Sequence, residues 1–474
     1  MKKTLINFLV FMLAPVLVVP TFTSCDVVKD MFTVHSYVYA HDSEGHWGVC
    51  SDCGEKTAVK AHEFSLCETV AATCEHIGYQ VFECSDCKYS KIEFSMKTEH
   101  DFRAVGDTDV RECVNCHRKE SALVELPETE RYGYTYLSSL AERDKYLRAY
   151  EKISAAIAVG SERASVFEKM TDDEFSTVYH CVVSDHPEYF WVKSVCSYDH
   201  TEDEILHVTP SYRMNIDELP LAKEKFNKAA DEILSGVSAS MTDFEKELYV
   251  HDALVRHNVY DSTYDAPMTH SAYGALVLET SVCDGYAKLF QFLLTRCGVP
   301  ATTVSGYAGE SHSWNAVKLD GEWYMVDPTW DDPDETKSDY VSHVYFNGSY
   351  ERFSIDHSFE NGEGEKISNY YDVPVCDSDR YDYFGYFGYE GNLSPETIEK
   401  VVGMQVEKGE RRSFQMRFTN LTGSPEERKE AIDNYIGTVP LTSSIARVLG
   451  KTALSISLAY SISDDGNILT IFVD

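Results

Sequence analysis

Asp320-Gly321 is the feature that most constrains this chain. It separates two alternating apolar segments, 312–319 and 322–329, and Asp-Gly in that setting closes a two-residue β-hairpin. A two-residue turn sets Trp314 opposite Asp327 and makes His312 the diagonal neighbour of Asp327 on one face. A three-residue turn would put the two side chains on opposite faces. A carboxylate beside an imidazole takes one ring nitrogen and leaves the other free to act as a base.

Residues 283–297 read as a helix, because Ala287, Phe290, Leu293, Leu294 and Cys297 recur at three- and four-residue steps. Gly298 and then Pro300 end it. Cys283 therefore sits at a helix N-terminus, where unpaired N–H groups and the positive end of the dipole favour a thiolate. Gly285 keeps the first turn open to a substrate, and Cys297 reads as a structural thiol in the apolar stripe. The Cys283 N–H is one oxyanion donor, and a second is expected from His270-Ser271-Ala272-Tyr273-Gly274. Each residue alone has a bland reading: an Asp before Pro caps turns, a strand His sits on surfaces, a lone Cys packs in cores. A thiol, an imidazole and a carboxylate in three matching contexts favour a nucleophile, its base and the group that orients the base.

Three strings carry a resemblance: Val282-Cys283-Asp284-Gly285-Tyr286-Ala287, His312-Ser313-Trp314-Asn315-Ala316-Val317 and Trp323-Tyr324-Met325-Val326-Asp327-Pro328-Thr329-Trp330-Asp331. With them, residues 245–360 resemble the transglutaminase-like superfamily, about a quarter of the chain. The resemblance implies a papain-like α+β core with Cys283 as nucleophile, His312 as base and Asp327 as orienter. It fixes thioester chemistry but not a substrate, because the superfamily holds crosslinkers, peptidases, deglycosylating amidases and inactive members. The flanks do not look like the β-sandwich domains of animal crosslinking enzymes.

Eight of the 14 cysteines fall between 50 and 116, and three pairs have the C-x-x-C form: Cys50/Cys53, Cys84/Cys87 and Cys113/Cys116. Cys-Ser-Asp-Cys occurs twice, and Ala61-His62-Glu63-Phe64 echoes Glu99-His100-Asp101-Phe102, so small units repeat. Each unit has too few apolar residues for a core and needs a metal or a crosslink. His46, Cys50, Cys53 and His62 have tetrahedral zinc spacing, and Cys74, Cys84, Cys87 and His100 form a second set. Cys67, His76 and the incomplete group Cys113, Cys116 and His117 leave the assignment open. The units resemble zinc-ribbon-like repeats of bacterial surface proteins. Disulfides are the rival in an oxidising compartment, but C-x-x-C is a poor structural disulfide and a good half of a metal knuckle.

Lys2 and Lys3 precede an apolar run from Leu5 to Val19, which reads as a signal peptide and is broken by Pro15. Phe22-Thr23-Ser24-Cys25 resembles a bacterial lipoprotein cleavage site, with Cys25 as the lipid-bearing residue. The 42 basic and 78 acidic residues give a net charge of −36, which argues against nucleic acid or anionic lipid as a partner.

Residues 127–244 read as mainly helical. Ser139/Glu142, Thr171/Glu174 and Thr242/Glu245 fit helix-start capping boxes, and Leu140, Leu147, Tyr150 and Ile157 form an apolar stripe. Cys181 and Cys196 are candidates for a disulfide. Residues 371–393, rich in Tyr, Gly and Asp, read as a linker or exposed loops. Residues 375–474 end in a small α+β module. There, Ser394-Pro395 and Ser424-Pro425 open helices, and 454–460 and 467–473 read as strands.

The chain is thus expected to be α+β, with a signal peptide over 1–24, Cys/His-rich repeats over 35–120, a helical region over 127–244, the thiol core over 245–360 and the C-terminal module. The expected function is an extracytoplasmic, membrane-anchored thiol enzyme attacking peptide or protein amides, most simply by hydrolysis. It would carry structural zinc in its repeats and no catalytic cofactor. Amine transfer, or a non-catalytic binding role on the same scaffold, are the alternatives.

Overall fold

The computed structural model describes residues 36–474 apart from 43, 52, 75–77, 96–97, 99–100, 105–109, 117–118, 122, 267 and 334–339. Cys25, His76, His100 and His117 lie outside the described residues. The chain divides into two compact units, 1–98 and 99–474. Among the described residues, no helix is long and apolar enough to cross a membrane.

The first unit is built from short antiparallel ladders. Tyr37–His41 pairs with His46–Cys50. Gly78–Cys84 is the centre of a three-stranded sheet between Phe64–Val70 and Ser90–Ser95. Its strands are half exposed, and its buried side chains are largely donors, among them His46, Cys50, Cys74 and Cys84. That is how a unit too small for an apolar core behaves.

The second unit is α+β. After a small sheet of Phe102–Ala104, Val110–Cys113 and Lys119–Ser121, helices Tyr132–Ser139, Arg143–Ala158 and Asp172–Asp185 pack with strands Ala164–Glu168, Val192–His200 and Ile205–Tyr212. Thr171/Glu174 and Thr242/Glu245 form full capping boxes. The expected box at Ser139 is absent: Ser139 ends one helix, its hydroxyl donating back to Tyr136 O, and the next helix starts at Arg143. Helix Leu219–Leu234 leads through Asp243–His257 and Ala272–Val277 to Cys283–Arg296, which packs on the antiparallel sheet Ala301–Tyr307, Ser311–Leu319, Glu322–Val326. One apolar core runs continuously from Leu137 to Phe346, so the helical region and the thiol core share an interior. No disulfide joins the described cysteines; Cys181 is buried in this core.

Residues 371–393 are not a linker. Asp382 caps a short helix, Tyr383–Phe387, and Phe384 and Tyr389 are buried in a second core. That core belongs to a four-stranded sheet, Glu390–Gly391, Ser413–Phe418, Ile468–Val473, Leu458–Ile462, covered by helices Pro395–Glu407, Pro425–Thr438 and Leu441–Val448. Ala453–Ser455 is a 3-10 turn, so the last hairpin starts four residues later than the alternation from 454 suggests.

Candidate active site

The hairpin has the expected turn. Asp320 (φ 49°) and Gly321 (φ 88°) both lie in the left-handed region, and Leu319 pairs with Glu322. The register runs to Asn315–Val326 and stops there. Asp327 has left the ladder, because its N–H donates to Tyr345 O at 3.0 Å and Pro328 follows. Its carboxylate still meets His312: His312 Nε2 lies 2.7 Å from Asp327 Oδ2. The other carboxylate oxygen accepts from the N–H groups of Thr329 (2.9 Å) and Trp330 (3.2 Å), which fixes its direction.

Cys283 starts its helix as expected. Val282 is extended; its N–H donates to Thr269 O at 3.2 Å, and its carbonyl accepts from Gly285 and Tyr286. The Thr269 stretch is itself held by Asp261, which accepts from Thr269 Oγ1, Thr263 and the Ala266 N–H. Gly285 is dictated by space: a Cβ there would stand 2.4 Å from Ser281 Cβ and 2.8 Å from Thr269 O. Asn315 ties the two halves together, donating from Nδ2 to Ala287 O at 2.9 Å. Gln291 ties the helix to the neighbouring strand, accepting from Thr303 Oγ1 at 2.8 Å.

Cys283 lies close enough to the His312 ring to favour its charged form, and the ring's Nε2 is on Asp327. Cys283 is half-buried, whereas His312 and Asp327 are buried. Burial works against a charged His312 ring. The Asp327 carboxylate and Cys283 outweigh it and raise the ring to about 10. Burial likewise works against the Asp327 charge, but His312 and His357 hold that carboxyl well below the usual range. Trp314 and Trp330 flank the His312 ring at centroid distances of 6.0 and 5.8 Å.

Two further features bear on the site. Within the 270–274 stretch, the Ser271 N–H donates to Met268 O and the Gly274 N–H to Ser271 Oγ, so both are used locally and are not oxyanion donors. A second histidine, His357, also reaches Asp327 Oδ2, at 3.0 Å. Nothing in its sequence setting marks it, since it lies 30 positions beyond Asp327 and outside every motif.

In the first unit, the structure regroups the donors. His46, His62, Cys84 and Cys87 place one ligand atom each within 4.8 Å of one another. His62 Nδ1 is 3.4 Å from Cys87 Sγ, and His46 Nδ1 is 3.7 Å from Cys84 Sγ. Cys50 and Cys53, adjacent to His46 in sequence, are not in this group, and neither is Cys74. The physical reason is strand geometry: Phe64 pairs with Cys84, which carries the second C-x-x-C turn back to His62. Cys113 is buried and Cys116 half-buried, in the turn between Val110–Cys113 and Lys119–Ser121 of the second unit.

His251, Asp252 and His343 also converge, at 3.3 Å (His251 Nδ1 to Asp252 Oδ1) and 2.8 Å (His343 Nε2 to Asp252 Oδ1). Their wiring is that of a hydrogen-bond network. Gln415 accepts from the His343 N–H and donates to Val341 O, so its amide group also donates to His343 Nδ1 at 3.2 Å. That leaves the proton on His343 Nε2, pointed at Asp252.

Residues 228–328 match the family model of the transglutaminase-like superfamily. Kyphoscoliosis peptidase of Homo sapiens is 29% identical over 153 residues, covering 26% of this chain and 23% of that protein. Kyphoscoliosis peptidase of Mus musculus is 30% identical over 153 residues, with the same shares, 26% and 23%. The chain thus spans about a quarter of the length of the curated relatives it matches. A solved structure described as a TGase shares 13% identity over 39% of this chain and 56% of that one, at a TM-score of 0.23, too low to carry an argument. The α+β unit contains a transglutaminase-like core, and its matched segment reaches back to 228, into the helix before the expected boundary.

Proposed function

We propose that this protein is a thiol enzyme that hydrolyses amide bonds of peptides or proteins, with Cys283 as nucleophile, His312 as base and Asp327 as the group that orients the base. The observation that carries this is His312 itself, bonded through Nε2 to Asp327 and close enough to Cys283 for the thiol to favour its charged form. The Cys283 sulfur, its proton held on His312, attacks the substrate carbonyl carbon. The tetrahedral oxyanion faces the N–H groups that open the Cys283 helix. The C–N bond then breaks, His312 returns the proton to the leaving amine, and a thioester remains. Water attacks the thioester, giving its proton to His312, and the carboxylic acid leaves as the thiol is restored. Hydrolysis is preferred over transfer to an amine because both curated relatives are named peptidases. The test has two parts. Iodoacetamide should label Cys283 selectively. A glutamine-containing peptide library supplied with a labelled primary amine should yield shortened peptides or ammonia without amine incorporation. Incorporation that depends on Cys283 would make the protein a crosslinking enzyme, and no reaction of any kind would favour a binding role.

A zinc ion held by His46, His62, Cys84 and Cys87 is part of the same proposal. Two thiolates and two imidazoles are a borderline-soft donor set, and N···S separations of 3.4 and 3.7 Å suit the edges of a tetrahedron with bonds of about 2.0–2.3 Å. Outer partners are in place too: His62 Nε2 lies 2.8 Å from Asp42 O, and His46 Nε2 lies 3.3 Å from Asp86 Oδ2. Such a site joins strands that bury little apolar surface, and it takes no part in amide chemistry.

Lipid attachment at Cys25 and an extracytoplasmic, membrane-anchored location complete the proposal. They rest on the basic start, the apolar run and Thr23-Ser24-Cys25. Release of the Cys25→Ser protein from the membrane fraction is the expected result; continued sedimentation with membranes would point to another anchor.

A further inference from the structure

His357 is a buried imidazole that the thiol chemistry above does not use. Both of its nitrogens face carboxylates: Nδ1 is 2.6 Å from Asp356 Oδ1, and Nε2 is 3.0 Å from Asp327 Oδ2. A neutral imidazole has one donor and one acceptor nitrogen, so one of these contacts would set a lone pair against an anion. With both nitrogens protonated, both contacts are hydrogen bonds to charged acceptors. The remaining surroundings agree. Tyr345 donates its hydroxyl to the other Asp356 oxygen at 2.7 Å, so Asp356 is held as an acceptor. Trp330, Trp314 and Phe353 pack on the ring at 4.6, 5.0 and 5.0 Å, and they bring no competing charge. His312 stands beside it, with ring centroids 5.7 Å apart, and Arg352 lines the cavity next to Asp356.

We propose that His357 is a positioning residue of the thiol site, an imidazolium that shares Asp327 Oδ2 with His312. Asp327 then receives four donors: Thr329 and Trp330 N–H on Oδ1, His312 and His357 on Oδ2. Those donors use up the acceptor sites of a carboxylate, so Asp327 has no freedom to rotate away from His312. The positive charge of His357 also offsets the Asp327 charge that His312 feels. His312 is thereby kept from becoming too strong a base to return its proton to a leaving amine. The raised protonation tendency of His357, caused by Asp327 and Asp356 against the cost of burial, agrees with this arrangement.

The inference rests on His312 serving as the base, and its test does not need a substrate. The full chain is produced with 13C-labelled histidine, and the His312 and His357 signals are assigned by their loss in His312→Gln and His357→Gln. The His357 signal should keep its protonated position through neutral pH. In His357→Gln, which keeps a donor but not the charge, the His312 titration should move up by about 1 pH unit, as expected for removing a like charge at this range. Asp356→Asn, an isosteric change at a half-buried position, should move the His357 titration down and serves if the first variant does not fold. A wild-type His357 that titrates like an ordinary imidazole overturns the proposal. So does a folded His357→Gln protein whose His312 titration is unmoved. Failure of iodoacetamide to label Cys283 would instead sink the thiol-enzyme reading, whatever the histidine signals do.

Discussion

His312 Nε2 and Asp327 Oδ2 stand 2.7 Å apart although Asp327 lies outside the β-ladder. The hairpin register brings the two backbones near. The hydrogen bond from Asp327 N–H to Tyr345, and the two N–H groups that hold Oδ1, then aim the carboxylate. The contact is therefore set by the turn at Asp320-Gly321 and finished by Thr329 and Trp330 just beyond Asp327 and by Tyr345 further along the chain.

Cys283→Ala should abolish amide cleavage and leave the melting temperature nearly unchanged, because Cys283 is only half-buried, at the first position of its helix. His312→Ala should cost on the order of 10⁶-fold in kcat/KM and Asp327→Asn on the order of 10⁴-fold, since the second change misdirects the base without removing it. Purified variants assayed on one cleaved peptide check this. The reverse order would show that the roles are misassigned.

Gly285→Ala should impair the site through geometry alone. The new Cβ meets Thr269 O at 2.8 Å, and a backbone carbonyl has little room to yield. A destabilisation of roughly 1–3 kcal/mol is expected, together with slower labelling of Cys283. Denaturant melts and alkylation rates report the two effects separately, and wild-type values in both would show that the close packing is relieved cheaply.

Glu247 gives a pH-dependent stability. It is fully buried; burial raises its carboxyl to about 8 from 4.5, against the opposing pull of its Asn347 hydrogen bond and of His251. The folded protein keeps a proton that the unfolded chain loses above 4.5, so this contribution is complete below 4.5 and is lost as pH rises towards 8. Glu247→Gln should keep the Asn347 bond, flatten that part of the curve and stabilise the protein at pH 8 by roughly 1–3 kcal/mol. Thermal melts of both proteins from pH 5 to about 8 would show it. Parallel curves would mean that Glu247 is charged in the fold.

Chelation should remove about one zinc ion per chain from the His46, His62, Cys84, Cys87 group and loosen the first unit without altering peptide cleavage. Cys84→Ser should do the same. Elemental analysis with a parallel cleavage assay tests it; metal content unchanged in Cys84→Ser would disprove this ligand set.

Features that depend on near neighbours were legible in the amino-acid order. A two-residue turn, an apolar stripe and a glycine stop placed the hairpin and the Cys283 helix; capping boxes at Thr171 and Thr242 are formed, and Ser424-Pro425 opens a helix, as expected. These are local interactions, each fixed within a few residues. Features that depend on residues distant in sequence came only with packing. Phe64 pairs with Cys84, so the second C-x-x-C meets His46 and His62, although spacing alone favoured Cys50 and Cys53. Phe384 and Tyr389 turned a polar-looking stretch into core because a sheet formed beneath them. His357 reached Asp327 because the chain after Tyr345 folds back over the hairpin. Repeated units offer several equivalent donor sets, and a single histidine carries no periodicity. Only the packed chain chooses among such possibilities, because the choice is made by which strands and loops are buried against one another.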